Sequence, residues 1–152
     1  MKLIADDMLG RLAKWLRILG FDTLYFPAIG NYDLLHRASL DGRTILTRDR
    51  KLPQKTLATP IFLIESDHYL KQVVEVVKKL DLKIDDDKIF SLCLDCNTKL
   101  AEVPKEKAKG LVPPYVFERH SSFHQCSHCQ KVFWGGSHYS NSLKALRSAF
   151  TV

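Results

Sequence analysis

Two Cys-x-x-Cys pairs constrain the folding of this chain more than any other feature of its sequence. Cys93 pairs with Cys96, Cys126 pairs with Cys129, and these are the only four cysteines in the chain. Such pairs form tight turns whose backbone N–H groups stabilise thiolates, and two turns supply the four sulfurs of a tetrahedral zinc site. Two disulfides or a redox pair are the alternatives. The layout favours one structural zinc, with a hairpin or loop filling residues 97–125.

The N-terminal stretch has the pattern of a buried strand, an acidic turn and a helix. An apolar run at residues 3–5 is followed by Asp6 and Asp7, and apolar residues then recur at three- and four-residue spacing over residues 8–19. Gly20 predicts the end of that helix. The two carboxylates therefore follow the strand, where open α/β sheets bind ligands. The alternative is that a carboxylate only caps the helix.

The same alternation continues through the first 80 residues. Further strands are predicted at residues 23–26, 43–47 and 60–64, a two-turn helix near residues 34–41, and a longer helix at residues 69–80. This order predicts an α/β fold with a mostly parallel sheet flanked by helices. The charged stretch 81–88 predicts a domain boundary, with an α/β domain at 1–88 and a zinc ribbon at 89–152. The ribbon ends in a short helix that Ser140 and Asn141 are expected to cap.

Because the ends of parallel strands meet at one edge, acidic residues far apart in sequence are expected to form one pocket. The candidate catalytic residues are Asp6, Asp33, Asp49 and Asp67. Hard cations such as Mg²⁺ and Mn²⁺ take oxygen ligands of this kind. The alternative is that Asp6 caps the first helix and Asp49 pairs with Arg48 or Arg50.

The charge distribution favours a polyanionic partner, nucleic acid first. The formal net charge is +6, and residues 97–152 contain eight basic but only three acidic side chains. A merely basic, soluble surface is the alternative. The candidate nucleic-acid contacts are Arg11, Lys14, Arg17, Arg48, Arg50, Lys107, Lys109, Arg119 and Lys131.

Other partner classes fit the sequence less well. The apolar runs are far shorter than the roughly 18 residues of a membrane span, and the N-terminus lacks a signal-peptide pattern. We therefore expect a cytoplasmic protein with no membrane partner. No glycine-rich phosphate loop follows a predicted strand, which argues against a nucleotide-binding α/β protein. The oligomeric state has no signature in the sequence.

Several of these motifs together resemble the Mut7-C family, a PIN-like ribonuclease domain followed by a zinc ribbon. The matching segments are residues 6–17 (DDMLGRLAKWLR), residues 42–50 (GRTILTRDR), the two cysteine pairs, and residues 134–138 (WGGSH). The resemblance covers nearly the whole chain. It implies a metal-dependent ribonuclease that uses Mg²⁺ or Mn²⁺ and acts on RNA.

The resemblance also implies roles for individual residues. Asp6 corresponds to the first metal-binding aspartate and Asp49 to the carboxylate after the third strand, while Asp67 is expected as an outer carboxylate. Where the family has an acidic pair before the second helix, this chain has Asn31 and Tyr32. Two function classes therefore remain: a metal-dependent ribonuclease, and a non-catalytic RNA-binding or ribosome-associated module that keeps the fold. Convergence of three or more carboxylates would favour the enzyme.

Overall fold

A computed structural model describes residues 1–55 and 58–150 of the chain. Its first half is an α/β unit in which four parallel strands form a sheet in the order β2-β1-β3-β4. The elements in chain order are β1 (Leu3–Ala5), α1 (Gly10–Ile18), β2 (Thr23–Tyr25), α2 (Asn31–Asp41), β3 (Thr44–Thr47), β4 (Ile61–Leu63) and α3 (Tyr69–Lys79). The predicted α/β class and parallel sheet are thereby confirmed.

The central strand β1 is aligned with both of its neighbours. Ile4 stands opposite Leu24 on β2 and opposite Ile45 on β3. All three residues of β1 are fully buried, because helices cover both faces of the sheet. The carboxyl end of β1 therefore lies in the middle of the sheet edge, next to the end of β3.

Two helices differ from the sequence prediction at their N-termini. A 3-10 turn at Asp7–Leu9 precedes α1, and its N-cap is Asp6. Helix α2 begins at Asn31 and has three turns rather than two, and it ends at Gly42 in the left-handed conformation. Asn31 and Tyr32 are therefore helical residues and not part of the loop that precedes the helix.

The C-terminal third contains a three-stranded antiparallel sheet in the order β5-β6-β7. Its elements are β5 (Leu100–Val103), α4 (Lys105–Ala108), α5 (Pro114–Arg119), β6 (Phe123–Cys126), β7 (Val132–Phe133) and α6 (Ser137–Phe150). The segment for which a hairpin or loop was predicted contains the antiparallel pair β5 and β6, and two short helices occupy the connection between these strands. Helix α6 begins at Ser137, so the prediction that Ser140 and Asn141 cap it is wrong.

One hydrophobic cluster runs through both halves of the chain. It contains Leu3 of β1, Leu12 of α1 and Val73 of α3, and also Leu146 of α6. Helix α6 packs against α3, so the chain returns to the α/β unit after the ribbon. The division into domains at residue 88 stays a prediction, since this core crosses it.

A close backbone approach joins the end of α1 to the segment that leads into the ribbon. Gly20 has φ +89°, and a Cβ atom placed there would lie 2.6 Å from the carbonyl oxygen of Lys88. The N–H of Phe90 donates to the carbonyl of Ile18 at 2.8 Å. Gly20 therefore provides both the helix stop that the sequence predicts and the space for this contact.

None of the helices in the described part of the chain has the length and apolar composition that crossing a bilayer requires.

Candidate active site and metal centre

Asp6 is a buried carboxylate at the end of the central strand. It is 3 % exposed. Its Oδ1 accepts the N–H of Asp7 at 2.8 Å, and its Oδ2 accepts the hydroxyl of Thr47 at 2.7 Å. Burial raises the pKa of Asp6, although both hydrogen bonds act in the opposite direction. A nearby cation stabilises the ionised form of a buried carboxylate, because the positive charge offsets the cost of burying the negative one.

Thr47 connects Asp6 to Asp49. The Thr47 side chain is fully buried at the end of β3, and its Oγ1 accepts the N–H of Asp49 at 3.0 Å while donating to Asp6. The Asp49 carboxylate in turn accepts the N–H of Lys51 at 2.9 Å. We refer to Asp6, Thr47 and Asp49 as the strand-end chain. Sequence analysis assigns Thr47 no separate role, because the only signal for one is a hydroxyl at the last position of a β-branched strand.

Asp33 and Asp67 lie in different cavities. Asp33 is exposed on the first turn of α2 and lines a cavity of about 540 Å³ together with His36 and Arg37. Asp67 is exposed after β4 and lines a cavity of about 360 Å³ together with Asp7. Leu34 of α2 is fully buried, so the helix turns the neighbouring Asp33 toward solvent.

The expected convergence of carboxylates is therefore absent from the part of the chain that the structure describes. Across residues 1–55 and 58–150, the only group of three or more His, Cys, Asp or Glu side chains that could share a metal ion is the set of four cysteines. The strand-end chain links two of the predicted aspartates, and the other two stand apart from each other.

The cavity beside Asp67 holds a basic group in a fixed position. The Arg11 guanidinium lies 3.8 Å from the centre of the Tyr69 ring, and both residues line this cavity. A second cavity of about 450 Å³ shares Arg11 and reaches Lys14 and Asp95. A groove thus extends along α1 from the sheet edge toward the first cysteine pair.

The loop after β4 is held by two residues of α3. Gln72 is 6 % exposed, and its Nε2 donates to the Ser66 carbonyl at 2.9 Å. The Glu75 carboxylate accepts the N–H groups of Glu65 and Ser66 at 2.9 and 3.2 Å. Burial raises the pKa of Glu75, but these two hydrogen bonds, together with the Ser66 side chain and the Lys79 charge, lower it below its ordinary value. Gln72 and Glu75 are thus positioning residues for the segment that carries Asp67.

The four cysteines form a site that fits zinc. Their sulfur atoms all lie within 4.8 Å of one another, and the Sγ atoms of Cys93 and Cys129 are 3.8 Å apart. Tetrahedral zinc with sulfur ligands at 2.3 Å requires a separation of about 3.8 Å between sulfurs. The donor set is thus right in both number and spacing, and it is completed by sulfur without a histidine.

The two cysteine pairs have the same backbone geometry. In each pair the N–H of the second cysteine lies 3.4 Å from the sulfur of the first. The residue after each pair, Asn97 or Gln130, has a positive φ of 62° or 65°. We call these turns the first knuckle (residues 93–97) and the second knuckle (residues 126–130).

Amide donors at the second knuckle also act on its buried thiol. Burial raises the pKa of Cys126, but the N–H groups of Cys129 and His128, together with the Cys129 and Cys93 side chains, lower it to about 7. These N–H groups favour the thiolate, the form that binds metal. At Cys93 the N–H groups of Asp95 and Cys96 act in the same direction, but burial raises the pKa to about 12.

The first knuckle is attached to the edge of the parallel sheet. The side-chain oxygen of Asn97 accepts the N–H of Thr23 at 3.1 Å, and its Nδ2 donates to Asp22 at 2.6 Å. Thr23 belongs to β2, the edge strand, whose outward N–H groups have no partner within the sheet. Asn97 thereby satisfies one edge amide and ties the metal site to the α/β unit.

Arg17 contributes to the same attachment from α1. It is 5 % exposed, and it donates to the carbonyl of Thr23 at 2.8 Å and to that of Leu94 at 2.6 Å. Arg17, a candidate nucleic-acid contact in the sequence, is therefore buried whereas Arg11 and Lys14 are exposed, because the first knuckle covers this side of the helix.

The remaining predicted nucleic-acid contacts are on the surface. Lys131, directly after the second knuckle, forms an ion pair with Asp95 of the first knuckle, and Arg119 lines a cavity of the ribbon. The other exposed members of the set are Arg11, Lys14, Arg48, Arg50, Lys107 and Lys109.

Comparison with known proteins gives one match. The family model described as the Mut7-C RNAse domain matches residues 1–146. The chain matches no curated protein and no solved structure.

Proposed function

The chain belongs to the Mut7-C RNAse domain family, and we propose that it is a metal-dependent ribonuclease that hydrolyses RNA phosphodiester bonds. The observation that carries the proposal is the strand-end chain, in which the Thr47 hydroxyl donates to the Asp6 carboxylate and accepts from the backbone N–H of Asp49. Two acidic residues 43 positions apart are thereby joined at the carboxyl ends of neighbouring strands, the usual place for ligands in an open α/β sheet.

The donor chemistry of this edge fits a hard divalent cation. Mg²⁺ is commonly bound by only one or two carboxylates, with water and substrate phosphates as further ligands. Asp6 and Asp49 would supply those carboxylates. Burial of Asp6 raises its pKa, and a bound cation reverses that effect. Asp67 is assigned an outer position, and Asp33, which lines another cavity, is the weakest of the four candidates.

The protein's own residues position the reaction. The amide of Asp7 and the hydroxyl of Thr47 fix both oxygens of Asp6, and the Lys51 amide fixes Asp49. Arg48 and Arg50 are exposed on either side of Asp49 and bind the phosphates of the RNA. Mg²⁺ or Mn²⁺ held by Asp6 and Asp49 would supply a lowered pKa for water and positive charge beside the phosphate. In the hydrolysis, the water oxygen bonds to phosphorus and gives up a proton, the bond from phosphorus to the leaving oxygen breaks, and the leaving oxygen gains a proton.

The two parts of the chain divide this work. Residues 1–88 carry the chemistry, and residues 89–152, with zinc on Cys93, Cys96, Cys126 and Cys129, add RNA affinity through their basic side chains. The charge excess of the C-terminal third supports this division.

Cleavage assays on purified protein test the proposal. Labelled single-stranded and structured RNAs are incubated with Mn²⁺, with Mg²⁺, or without added metal. Asp6→Asn and Asp49→Asn should each reduce cleavage by more than the roughly 10–100-fold that loss of an outer-shell partner causes, while RNA binding stays intact or tightens. Asp7→Asn, at the exposed neighbouring position, is the matched control and should change cleavage little. Unchanged cleavage in the Asp6 and Asp49 variants contradicts the assignment.

A chelator arm requires a zinc measurement, because EDTA can also remove the metal from the cysteines. Loss of cleavage in EDTA supports the proposal only when zinc content is unchanged and added Mn²⁺ restores activity. Activity that persists in EDTA contradicts it.

The alternative function is a non-catalytic RNA-binding or ribosome-associated module. The scattered carboxylates among the described residues favour it, as does the pair Asn31 and Tyr32 in place of acids. RNA binding without cleavage under any of the metal conditions would establish this alternative.

A further inference from the structure

We propose that the ribbon contains a pocket that binds one unpaired nucleotide of RNA by stacking on its base. The pocket is a cavity of about 410 Å³ formed by residues 89–90, 119–122, 124 and 133–135. We call it the Trp134 pocket. Its volume is in the range of small-molecule sites, roughly 300–1,000 Å³. The choice of RNA as its ligand rests on the proposed function.

Three half-buried aromatic side chains, Phe90, Phe133 and Trp134, form its apolar walls. Trp134 packs against the ribbon's own core, the cluster around Phe123. Phe90 and Phe133 pack instead against the core that contains α1 and α3. Adjacent residues 133 and 134 are thus packed against different cores, and both line the cavity.

The polar lining suits an anion with hydrogen-bonding edges. Arg119, His120 and His124 supply nitrogen groups, and Ser121 and Ser122 supply hydroxyls. His124 stands directly opposite Phe133 on the neighbouring strand, so both side chains lie on one face of the sheet. Among the residues that the structure describes, none with a carboxylate side chain lines the cavity. Aromatic faces beside cationic and hydroxyl groups are the chemistry with which proteins bind unpaired nucleotides.

The pocket and the strand-end chain lie at opposite ends of α1. Phe90 is hydrogen-bonded to Ile18 near the C-terminus of that helix, whereas Asp6 precedes its N-terminus. Nine residues of helix are about 14 Å long. A single nucleotide in the pocket therefore does not reach Asp6, and an RNA must be several nucleotides long to occupy both places.

Tryptophan fluorescence of the full-length protein tests the proposal. Trp134 is half-buried and Trp15 is 4 % exposed, so a stacked base should quench Trp134 selectively. The probe is an adenosine 12-mer RNA without added divalent metal, and AMP serves as a single-nucleotide probe. We expect both to quench the wild type, and neither to quench Trp134→Phe, in which only Trp15 emits.

Variants with matched controls measure the affinity. Trp134→Leu should weaken 12-mer binding about tenfold or more, as loss of one stacked base predicts. Tyr115→Leu is its control, because Tyr115 is an aromatic residue of the ribbon that is 62 % exposed and lies outside the pocket. Ser122→Glu places a carboxylate in the lining and should weaken binding several-fold more than Ser122→Gln.

The outcomes separate this proposal from the ribonuclease proposal. Trp134→Leu is compared only if it keeps its zinc and its fold. If it loses them, the affinities of Ser122→Glu and Ser122→Gln test the pocket instead, because Ser122 is exposed. Equal affinity in Ser122→Glu and Ser122→Gln, or quenching that persists in Trp134→Phe, overturns the pocket even if RNA is cleaved normally. Conversely, quenching confined to Trp134 with no cleavage under any metal condition supports the pocket while the enzyme proposal fails.

Discussion

Asp6 and Arg17 are both buried ionisable residues, yet their surroundings give them different uses. Arg17 donates to two carbonyls within the protein, so its role is fulfilled by joining α1, β2 and the first knuckle. Asp6 accepts two hydrogen bonds but has no cationic side chain among its hydrogen-bond partners in the described chain. Because this buried carboxylate has no cationic partner of that kind among the described residues, Asp6 is a candidate metal ligand.

Gly20 should be intolerant of a side chain. We expect Gly20→Ala to lower the free energy of unfolding by about 2 kcal/mol or more, since a positive φ alone costs roughly 1–2 kcal/mol for alanine. The new Cβ would also lie 2.6 Å from the Lys88 carbonyl oxygen. Urea denaturation measures the change.

Gly42→Ala is the matched control for that substitution. Gly42 also has a positive φ, 65°, but no atom within 4 Å of the Cβ position. Gly42→Ala should therefore lose only the part of the unfolding free energy that comes from the positive φ. Equal losses in the two variants would mean that the Lys88 segment moves away without cost.

Asp22 should make stability depend on pH in the acid range. Burial raises the pKa of Asp22, but hydrogen bonds from Arg43 and Asn97 outweigh that effect and lower it below its ordinary value of 3.8. A lowered folded-state pKa means that this contribution is present above about pH 3.8 and is lost as pH falls through the folded value. Asp22→Asn should thus cost roughly 1 kcal/mol at pH 7, discounted because the side chain is 41 % exposed.

Urea denaturation at pH 7 and at pH 3 checks this sign. The difference between wild type and Asp22→Asn should shrink at pH 3. Asp86→Asn removes an exposed ion pair with Arg147 and should change stability by less than about 0.5 kcal/mol. A difference for Asp22→Asn that grows at pH 3 would contradict the prediction.

At the scale of elements, the spacing of apolar residues and the glycine stop signals predict most of the α/β unit. Strands β1 to β4 and helix α3 lie within a residue or two of their predicted positions, because alternating apolar runs and stops at Gly20 and Gly42 determine them locally. The start of α6 is different: Ser140 and Asn141 look like caps, but the helix continues through them from Ser137. Packing of α6 on α3 is a long-range effect that a local cap signal cannot contain.

In the candidate site, too, features set by local sequence were predictable and features set by long-range packing were not. The cysteine spacing alone predicts the metal centre, because all four ligands belong to two short turns. The prediction that the four aspartates form one pocket is not met, because α2 places Asp33 at a different cavity from that of Asp67. The burial of Arg17 also depends on the ribbon, which is more than 70 residues away in sequence.

The metal centre should be required for the fold of the ribbon. We expect about one zinc per chain, and none in Cys126→Ser, measured by elemental analysis. Loss of zinc should also lower the free energy of unfolding of the α/β unit, because Asn97 and Leu94 of the first knuckle are bonded to β2 and α1. Fluorescence of buried Trp15 reports that unfolding.

Ser127→Ala is the control for the cysteine substitution, as an exposed position within the second knuckle that contributes no sulfur. It should keep its zinc and its stability. Four cysteines found as two disulfides in the purified wild type would rule out the zinc site.

At the scale of the whole molecule, charge is distributed unevenly along the chain. Residues 97–152 carry an excess of five positive charges, whereas the first 96 residues are nearly neutral. Electrostatic attraction of RNA should therefore be centred on the ribbon. The strand-end chain supplies negative charge at the sheet edge, so affinity and chemistry are expected to come from different surfaces.

Neutralising two sets of four basic residues in the full-length protein tests this separation. Glutamine at Lys107, Lys109, Arg119 and Lys131 should weaken RNA binding more than glutamine at Arg11, Lys14, Arg48 and Arg50. Each lost phosphate contact should also flatten the dependence of log affinity on log salt by about 0.7 for a single strand. Titrations at several salt concentrations measure both effects. A larger loss from the second set would mean that RNA is held mainly along α1 and the sheet edge.

The packing of α6 on α3 has a consequence for how the protein is made. A ribosome releases the chain from its N-terminus, and early segments begin to fold during synthesis. The strands of the parallel sheet emerge long before Leu146, which belongs to the same core as Leu3. Until residues 137–150 follow, the nascent chain leaves one flank of α3 uncovered. We therefore expect molecules truncated before α6 to be held by chaperones or degraded, whatever the state of their zinc site.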